Sequence, residues 1–120
     1  MKLVNLCAVL LSLLSCSAIA APQCAQYISV REYDVSDSAE ITRRAQQEFV
    51  PIINKIPGFL SWQLIEVSKT RLITVSAFNS QQAAELSAEK AKQWGAKSLA
   101  NLVKNTPEVS NGKVVASSCM

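Results

Sequence analysis

Histidine is absent from all 120 residues of this chain. Its absence excludes a Ser–His or Cys–His catalytic pair, a zinc site that uses imidazole, and a histidine-ligated haem. Glycine is scarce, with 3 residues, and the sequence contains no glycine-rich phosphate loop, no nucleotide-binding fingerprint and no zinc-binding spacing. The sequence therefore excludes several common classes of enzyme and predicts no metal site.

The chain also has only a small excess of positive charge. Lys and Arg number 12 and Asp and Glu number 9, so net charge alone predicts neither nucleic-acid binding nor membrane binding. Hydrophobic residues make up 49% of the chain and charged residues 18%, which is typical of a folded globular protein. The length suits one domain.

Residues 1–20 have the organisation of a secretory signal peptide. Lys2 precedes a mostly apolar run, and Ala18-Ile19-Ala20 matches an A-x-A cleavage site. The run is shorter than the roughly 20 apolar residues of a transmembrane helix, so no transmembrane segment is predicted. We expect a secreted or periplasmic protein whose mature domain is residues 21–120.

The cysteines carry two further predictions. Cys16 follows Leu13-Leu14-Ser15 in an imperfect lipoprotein-type motif, and cleavage there is the alternative to cleavage after Ala20. Cleavage after Ala20 leaves two cysteines, Cys24 and Cys119, and an even pair in an exported protein indicates a disulfide bond. Two free buried thiols are the alternative.

Local patterns predict six secondary-structure elements in the order β-α-β-β-α-β. The first helix has a capping box from Asp37 to Glu40, and Pro51 should kink or restart it. A short polar turn joins strands two and three into an antiparallel hairpin. The predicted ranges are 25–35, 38–55, 59–67, 71–78, 80–104 and 109–117, with a possible bulge at 111–112.

This order predicts an α+β fold of the ferredoxin-like βαββαβ type, with a four-stranded antiparallel sheet and two helices on one face. The start of strand one then lies beside the end of strand four, which brings Cys24 next to Cys119. Strand three is largely apolar on both faces, although two helices cover only one face of the sheet. A second copy of the chain is the simplest cover for the other face, so we expect a homodimer.

Four motifs, taken in their order and spacing, resemble the antibiotic-biosynthesis-monooxygenase-like domain of the dimeric α+β barrel superfamily. The resemblance covers about residues 26–117, nearly the whole predicted mature chain. The motifs are Pro57-Gly58-Phe59-Leu60-Ser61-Trp62-Gln63-Leu64, Thr74-Val75-Ser76-Ala77-Phe78, Ala83-Ala84-Glu85 through Trp94, and Pro107-Glu108-Val109 with Gly112.

The resemblance implies a ferredoxin-like monomer that pairs sheet to sheet with a twin. Some members of the family oxidise polycyclic aromatic metabolites with no metal or flavin, others degrade haem, and many have no known activity. Haem-degrading members use a histidine ligand, which this chain lacks. Characterised members commonly carry an asparagine on the first strand, which residues 24–35 lack, so the family fold carries over better than its chemistry.

Trp62 and Trp94 are the two tryptophans of the chain and are candidate ligand-binding residues. In the family fold, one lies on strand two and the other on the helix that covers the sheet. Together they could stack an aromatic ligand in a cleft between helix and sheet. The alternative is that both are core anchors of a small domain.

A row of polar and aromatic residues shares one face of strand one: Tyr27, Ser29, Arg31 and Tyr33. If that face lines a pocket, Arg31 would stabilise a phenolate or enolate, and Tyr33 or Tyr27 would relay a proton. The alternative is that the row forms the dimer interface, where Tyr and Arg are common.

Two functions remain open at this point. The first is a secreted, dimeric domain that binds a small aromatic or polyketide-like metabolite and oxidises it without a cofactor, with Arg31 and Tyr33 as catalytic residues and Tyr27, Trp62 and Trp94 as ligand contacts. The second is a non-catalytic carrier or interaction module of the same fold.

Overall fold

A computed structural model describes residues 23–119 of the chain. The predicted signal peptide over residues 1–20 and the alternative lipidated Cys16 lie outside the described residues. Within the described range, no helix is long and apolar enough to cross a membrane.

The described residues form one antiparallel sheet with the helices on one face. The elements are β1 (Tyr27–Asp34), α1 (Ser38–Arg44), a π-helical turn (Ala45–Phe49), α2 (Val50–Ile53), β2 (Phe59–Ser68), β3 (Arg71–Phe78), α3 (Gln81–Ser98) and β4 (Glu108–Lys113). The strand order is β2-β3-β1-β4, so β1 and β3 are central. The predicted α+β fold with ferredoxin-like βαββαβ order is confirmed.

Pro51 interrupts the first helix, as the sequence predicts. Proline has no N–H group, so the helical hydrogen bond from position 51 cannot form. The backbone instead widens into the π-helical turn, in which the Val50 N–H donates to the Ala45 carbonyl five residues earlier, and a short α2 restarts with Pro51 in its first turn. This widened turn ends at Phe49, whose side chain is buried against the sheet.

The helix α3 is shorter than predicted, because it ends at Ser98 rather than at residue 104. Residues after it turn back to extend the pairing at the end of β1. The Ser36 N–H donates to the Leu102 carbonyl, and the Lys104 N–H donates to the Asp34 carbonyl. These long-range backbone hydrogen bonds replace the last predicted helical turn.

The strand β4 is also shorter than predicted, because it ends at Lys113 rather than at residue 117. Its partner β1 begins at Tyr27, which pairs with Lys113, and one further backbone hydrogen bond runs from the Val114 N–H to the Gln26 carbonyl. The register is continuous through Asn111 and Gly112. The bulge predicted at 111–112 is therefore absent.

Cys24 and Cys119 form a disulfide bond with a Cα–Cα distance of 5.7 Å. The antiparallel pairing of β1 with β4 places the start of one strand beside the end of the other. The predicted disulfide is confirmed. It links the segment before β1 to the segment after the edge strand β4.

The core lies between the helices and the sheet in three clusters. One contains Val35, Ile41, Leu72 and Leu99, and it joins the ends of the central strands to both helices. The second surrounds Phe49, Ile53 and Ile56, and the third surrounds Phe78, Ala83 and Ala84. Burial of these apolar side chains is the main favourable contribution to folding.

The opposite face of the sheet has no helix over it among residues 23–119. Its central part consists of side chains from β1 and β3, with Val30 opposite Val75 and Ile28 opposite Ala77. Val30, Val75 and Ile28 are only half-buried, and Ile65 on β2 is 44% exposed. This apolar uncovered face is the feature from which the sequence predicts a homodimer.

Candidate functional site

The candidate site begins with the alternation of side chains along β1. Successive residues of a strand point to opposite faces, so Ser29, Arg31 and Tyr33 share a face. The structure places that face under the helices, where all three residues line a cavity of about 810 Å³. They therefore lie on the covered face of the sheet and not on its uncovered face.

The small residues of α3 leave the space for this cavity. At the start of α3 small residues let the helix pack close to the sheet, where Ala83 and Ala84 pack against Phe78. Farther along, Ala88, Ala91 and Gly95 line the cavity instead. A cavity of this size is in the range of small-molecule binding sites.

Three largely buried residues with hydroxyl groups line the same cavity. Thr74 and Ser76 lie on β3 and Ser87 on α3, and their relative exposures are 9%, 8% and 6%. None of the three side chains hydrogen-bonds to another residue within 23–119, whereas Ser29 donates to Asn111 Oδ1 at 2.6 Å. The oxygens of these three side chains are not among the fully buried atoms without a partner, so they retain accessible surface. Within the cavity these hydroxyls are available to a ligand.

Arg31 has a different environment from the other arginines. Arg43 and Arg44 both pair with Glu40, and Arg71 pairs with Glu32. The half-buried Arg31 has no ion pair and no side-chain hydrogen bond with any residue that the structure describes. Its guanidinium therefore carries a charge and donors into the cavity without a partner from the protein.

An aromatic cluster forms the apolar side of the cavity. Phe49 contacts Trp94 with a ring-centroid distance of 5.1 Å and Trp62 with one of 5.6 Å. All three side chains line the cavity, and they also pack in the core cluster around Ile53. Trp62 and Trp94 therefore pack in the core and line the cavity at the same time.

The indole nitrogen of Trp94 has no hydrogen-bond partner. Among residues 23–119, Trp94 Nε1 is the one buried side-chain nitrogen or oxygen without an acceptor or donor. An indole N–H is a donor only.

Tyr27 lies outside the cavity lining, although it shares the face of Tyr33. Its ring packs against the cluster of Phe78, Ala83 and Ala84. Tyr33 lines the cavity and packs against the cluster around Leu72. The structure brings together four of the five predicted catalytic and ligand-binding residues, Arg31, Tyr33, Trp62 and Trp94, and leaves Tyr27 beside them.

The rim of the cavity carries exposed charges. Glu85, Glu89 and Lys92 come from α3, and Lys104 comes from the segment after it. Glu85 accepts a hydrogen bond from Gln81, and Glu89 accepts one from Gln93. These carboxylates lie on the exposed side of the site, so Arg31 is the charged group of the cavity interior.

The fold resembles solved structures of oxygenases. A monooxygenase of Streptomyces coelicolor, ActVA-Orf6 in complex with nanaomycin D, has a TM-score of 0.63 and 18% identity, over 78% of this chain and 90% of that one. SnoaB, a cofactor-independent oxygenase of Streptomyces nogalater, has a TM-score of 0.63 and 12% identity, over 79% and 98%.

The chain has the antibiotic biosynthesis monooxygenase-like fold. A Nitrosomonas europaea protein provisionally named as such a monooxygenase also has a TM-score of 0.63, with 14% identity over 78% of this chain and 93% of that one. No family model and no curated protein sequence matches this chain. At these identities the likeness establishes this monooxygenase-like fold and leaves the activity to the residues of the site.

The sequence did not lead us to predict that the hydroxyl groups of Thr74, Ser76 and Ser87 line the cavity. Thr74 and Ser76 lie two residues apart in a strand that is otherwise apolar, and that period places them on one face. The signal was therefore present in the sequence. Ser87 gives no comparable signal, because serine on a helix is ordinarily exposed.

Proposed function

We propose that this protein binds a planar aromatic or polyketide-like metabolite in the cavity between its helices and sheet, and oxygenates it without a cofactor. The observation that carries the proposal is the composition of the cavity, in which Arg31, unpaired among the described residues, lies in one lining with the aromatic cluster of Phe49, Trp62 and Trp94. The aromatic rings would pack against the ligand's rings, and the guanidinium would hold its oxygen.

The proposed chemistry begins with loss of a proton from an activated carbon of the substrate. The resulting carbanion adds O₂, and the hydroperoxide that forms loses water and leaves a carbonyl group. Arg31 would stabilise the anion by charge, and the Tyr33 hydroxyl would relay the proton. The ring of Tyr33 is held by its packing in the cluster around Leu72, which fixes its position in the cavity.

The proposal includes a homodimer formed through the uncovered face of the sheet. Val30 and Val75 are opposite each other at the centre of this face, and both are half-buried in the monomer. An extended apolar patch on a single chain marks a contact surface. We also propose that residues 1–20 direct export to the periplasm or the exterior, as their sequence predicts.

Anthrone tests the proposed activity, because its methylene group can lose a proton and its product, anthraquinone, has a distinct absorbance. One anthrone and one O₂ give one anthraquinone and one water. Binding is followed by the fluorescence of Trp62 and Trp94, and turnover by an oxygen electrode. We expect both binding and oxygen uptake for the wild type.

Matched variants of α3 separate the cavity from the rest of the surface. Ala88→Phe fills the cavity and should abolish binding, whereas Leu86→Phe changes an exposed residue outside the lining and should preserve it. Binding without oxygen uptake would favour the non-catalytic carrier. Equal binding by both variants would contradict the proposed site.

A further inference from the structure

The cavity contains donors of hydrogen bonds that lack acceptors. The guanidinium of Arg31 lines the cavity and has no ion pair or side-chain hydrogen bond with a described residue. Thr74 and Ser76, each more than nine-tenths buried, add two hydroxyl groups that bond to no other described residue. A ligand that displaces water from these groups without accepting their hydrogen bonds would lose free energy, so the arrangement favours a ligand rich in acceptors.

The position of these groups is set by strand register. Arg31 lies opposite Thr74, and Ser29 lies opposite Ser76. Directly opposed side chains have Cβ atoms about 4.5–5.5 Å apart, so one ligand group can reach both members of a pair. Ser29 already donates to Asn111. The donors therefore concentrate beside the guanidinium, on the two central strands.

The charges around the cavity agree with this placement. Its lining contains three cations, Arg31, Lys92 and Lys104, and the two carboxylates Glu85 and Glu89. Both carboxylates are exposed on α3, where each accepts a hydrogen bond from a glutamine. No acidic side chain within 23–119 pairs with Arg31, so its charge remains available to an anion from solution.

From this arrangement we propose that the ligand is an aromatic acid, whose oxyanion binds Arg31 and the Thr74 and Ser76 hydroxyls while its rings lie against the aromatic cluster. The inference rests on the proposed function, because it names the class of molecule that the same cavity takes. A guanidinium offers two parallel N–H donors, which match the two oxygens of a carboxylate. An ionised phenol presents the same charge through one oxygen.

The test uses the full chain and isothermal titration calorimetry at pH 7 with 2-naphthoate and its neutral isostere, 2-naphthamide. We expect naphthoate to bind the wild type at least about tenfold more tightly than the amide. Arg31→Met should weaken naphthoate binding by about 10- to 100-fold and leave the affinity for the amide within about twofold. Equal affinity of the wild type for both compounds overturns the proposal.

Lys92→Met is the matched control, because Lys92 is an exposed cation on the rim of the same cavity. It should change naphthoate affinity by less than about twofold, since exposed charges are screened by salt and water. A loss as large as that of Arg31→Met would assign the effect to overall charge and overturn the specific site. If Arg31→Met does not fold, Arg31→Lys replaces it. The lysine ammonium lacks the two parallel N–H donors of the guanidinium, so this variant should still weaken naphthoate binding.

An ionised phenol, 2,4-dinitro-1-naphthol, separates the two sources of the oxyanion. If this compound binds and its binding depends on Arg31 as strongly as naphthoate binding does, the proposal extends to phenolates. If only naphthoate binds, the site is assigned to carboxylates. If anthrone binds in the cavity while acid and amide bind equally, the oxyanion site fails and the proposed function stands. If none of these compounds binds, both fail.

Discussion

Arg31 lies directly opposite Thr74 where β1 pairs with β3, and both side chains line the cavity under the helices. Thr74→Val removes the hydroxyl and keeps the shape, so it should weaken 2-naphthoate binding by about tenfold, as expected for one hydrogen bond to a charged group. Calorimetry measures the loss. Thr42→Val, on the exposed side of α1, should leave the affinity unchanged, and an equal loss there would contradict the assignment.

The uncovered face of the sheet leads to a prediction about assembly. Val75→Lys places a charge at the centre of that face and should convert the expected dimer into a monomer, because burying an unpaired charge is costly. Light scattering after size-exclusion chromatography measures the mass. Val115→Lys is the control, because Val115 is 91% exposed and lies outside the sheet. A wild-type monomer, or a Val75→Lys dimer, would contradict the interface.

The disulfide leads to a prediction about stability. Cys24 and Cys119 are separated by 95 residues, and closing a loop of that length stabilises the folded state by about 4–5 kcal/mol in the chain-entropy model. Cys119→Ser should therefore lower the free energy of unfolding by about that amount, measured by urea denaturation. The double variant with Cys24→Ser should match the single one. An unchanged urea midpoint after reduction of the wild type would contradict the role of the bridge.

Glu40 leads to a prediction about pH. Hydrogen bonds from Arg43 and then Arg44 lower the pKa of the Glu40 carboxyl from its ordinary value of 4.5 to about 2. A carboxyl whose pKa is lower in the folded state stabilises the fold above its ordinary pKa, and this contribution is lost as the pH falls from about 4.5 through about 2. Glu40→Gln should therefore lower the urea midpoint at pH 7 and have a much smaller effect near pH 2.

Glu66→Gln is the control for this measurement. Glu66 is exposed on β2 and pairs with no arginine or lysine among residues 23–119. Its variant should follow the wild type at both pH values. A Glu40→Gln midpoint equal to that of the wild type at pH 7 would show that these surface ion pairs add nothing measurable.

Two glycines lead to opposite predictions for the same substitution. Gly58 has a φ of 87°, and an added Cβ would lie 2.3 Å from Asn79 Oδ1, so Gly58→Ala should destabilise the fold by about 1–3 kcal/mol. Gly95 lies inside α3 with nothing within 4 Å of an added Cβ, and Gly95→Ala should stabilise it by about 1 kcal/mol. Urea denaturation of both variants tests this, and equal effects would contradict it.

The sequence alone determined the order of the elements and several local features. Asp37 caps α1 by accepting from the Glu40 N–H, and Ser80 caps α3 by accepting from the Ala83 N–H. Both are hydrogen bonds over three residues, so a short segment contains all the information they need. The disulfide followed from topology, because the order of strands brings Cys24 to Cys119. The ends of α3 and β4 did not follow, because long-range pairing with β1 decided them.

Only the tertiary structure decided which face of β1 the helices cover. A period of two shows that Ser29, Arg31 and Tyr33 share a side of the strand, but it does not show which side the helices cover. The same limit applied to β3, where Thr74 and Ser76 share a face with Leu72 and Phe78. The cavity depends on the distance between α3 and the sheet, which packing of the whole chain sets and no local pattern contains.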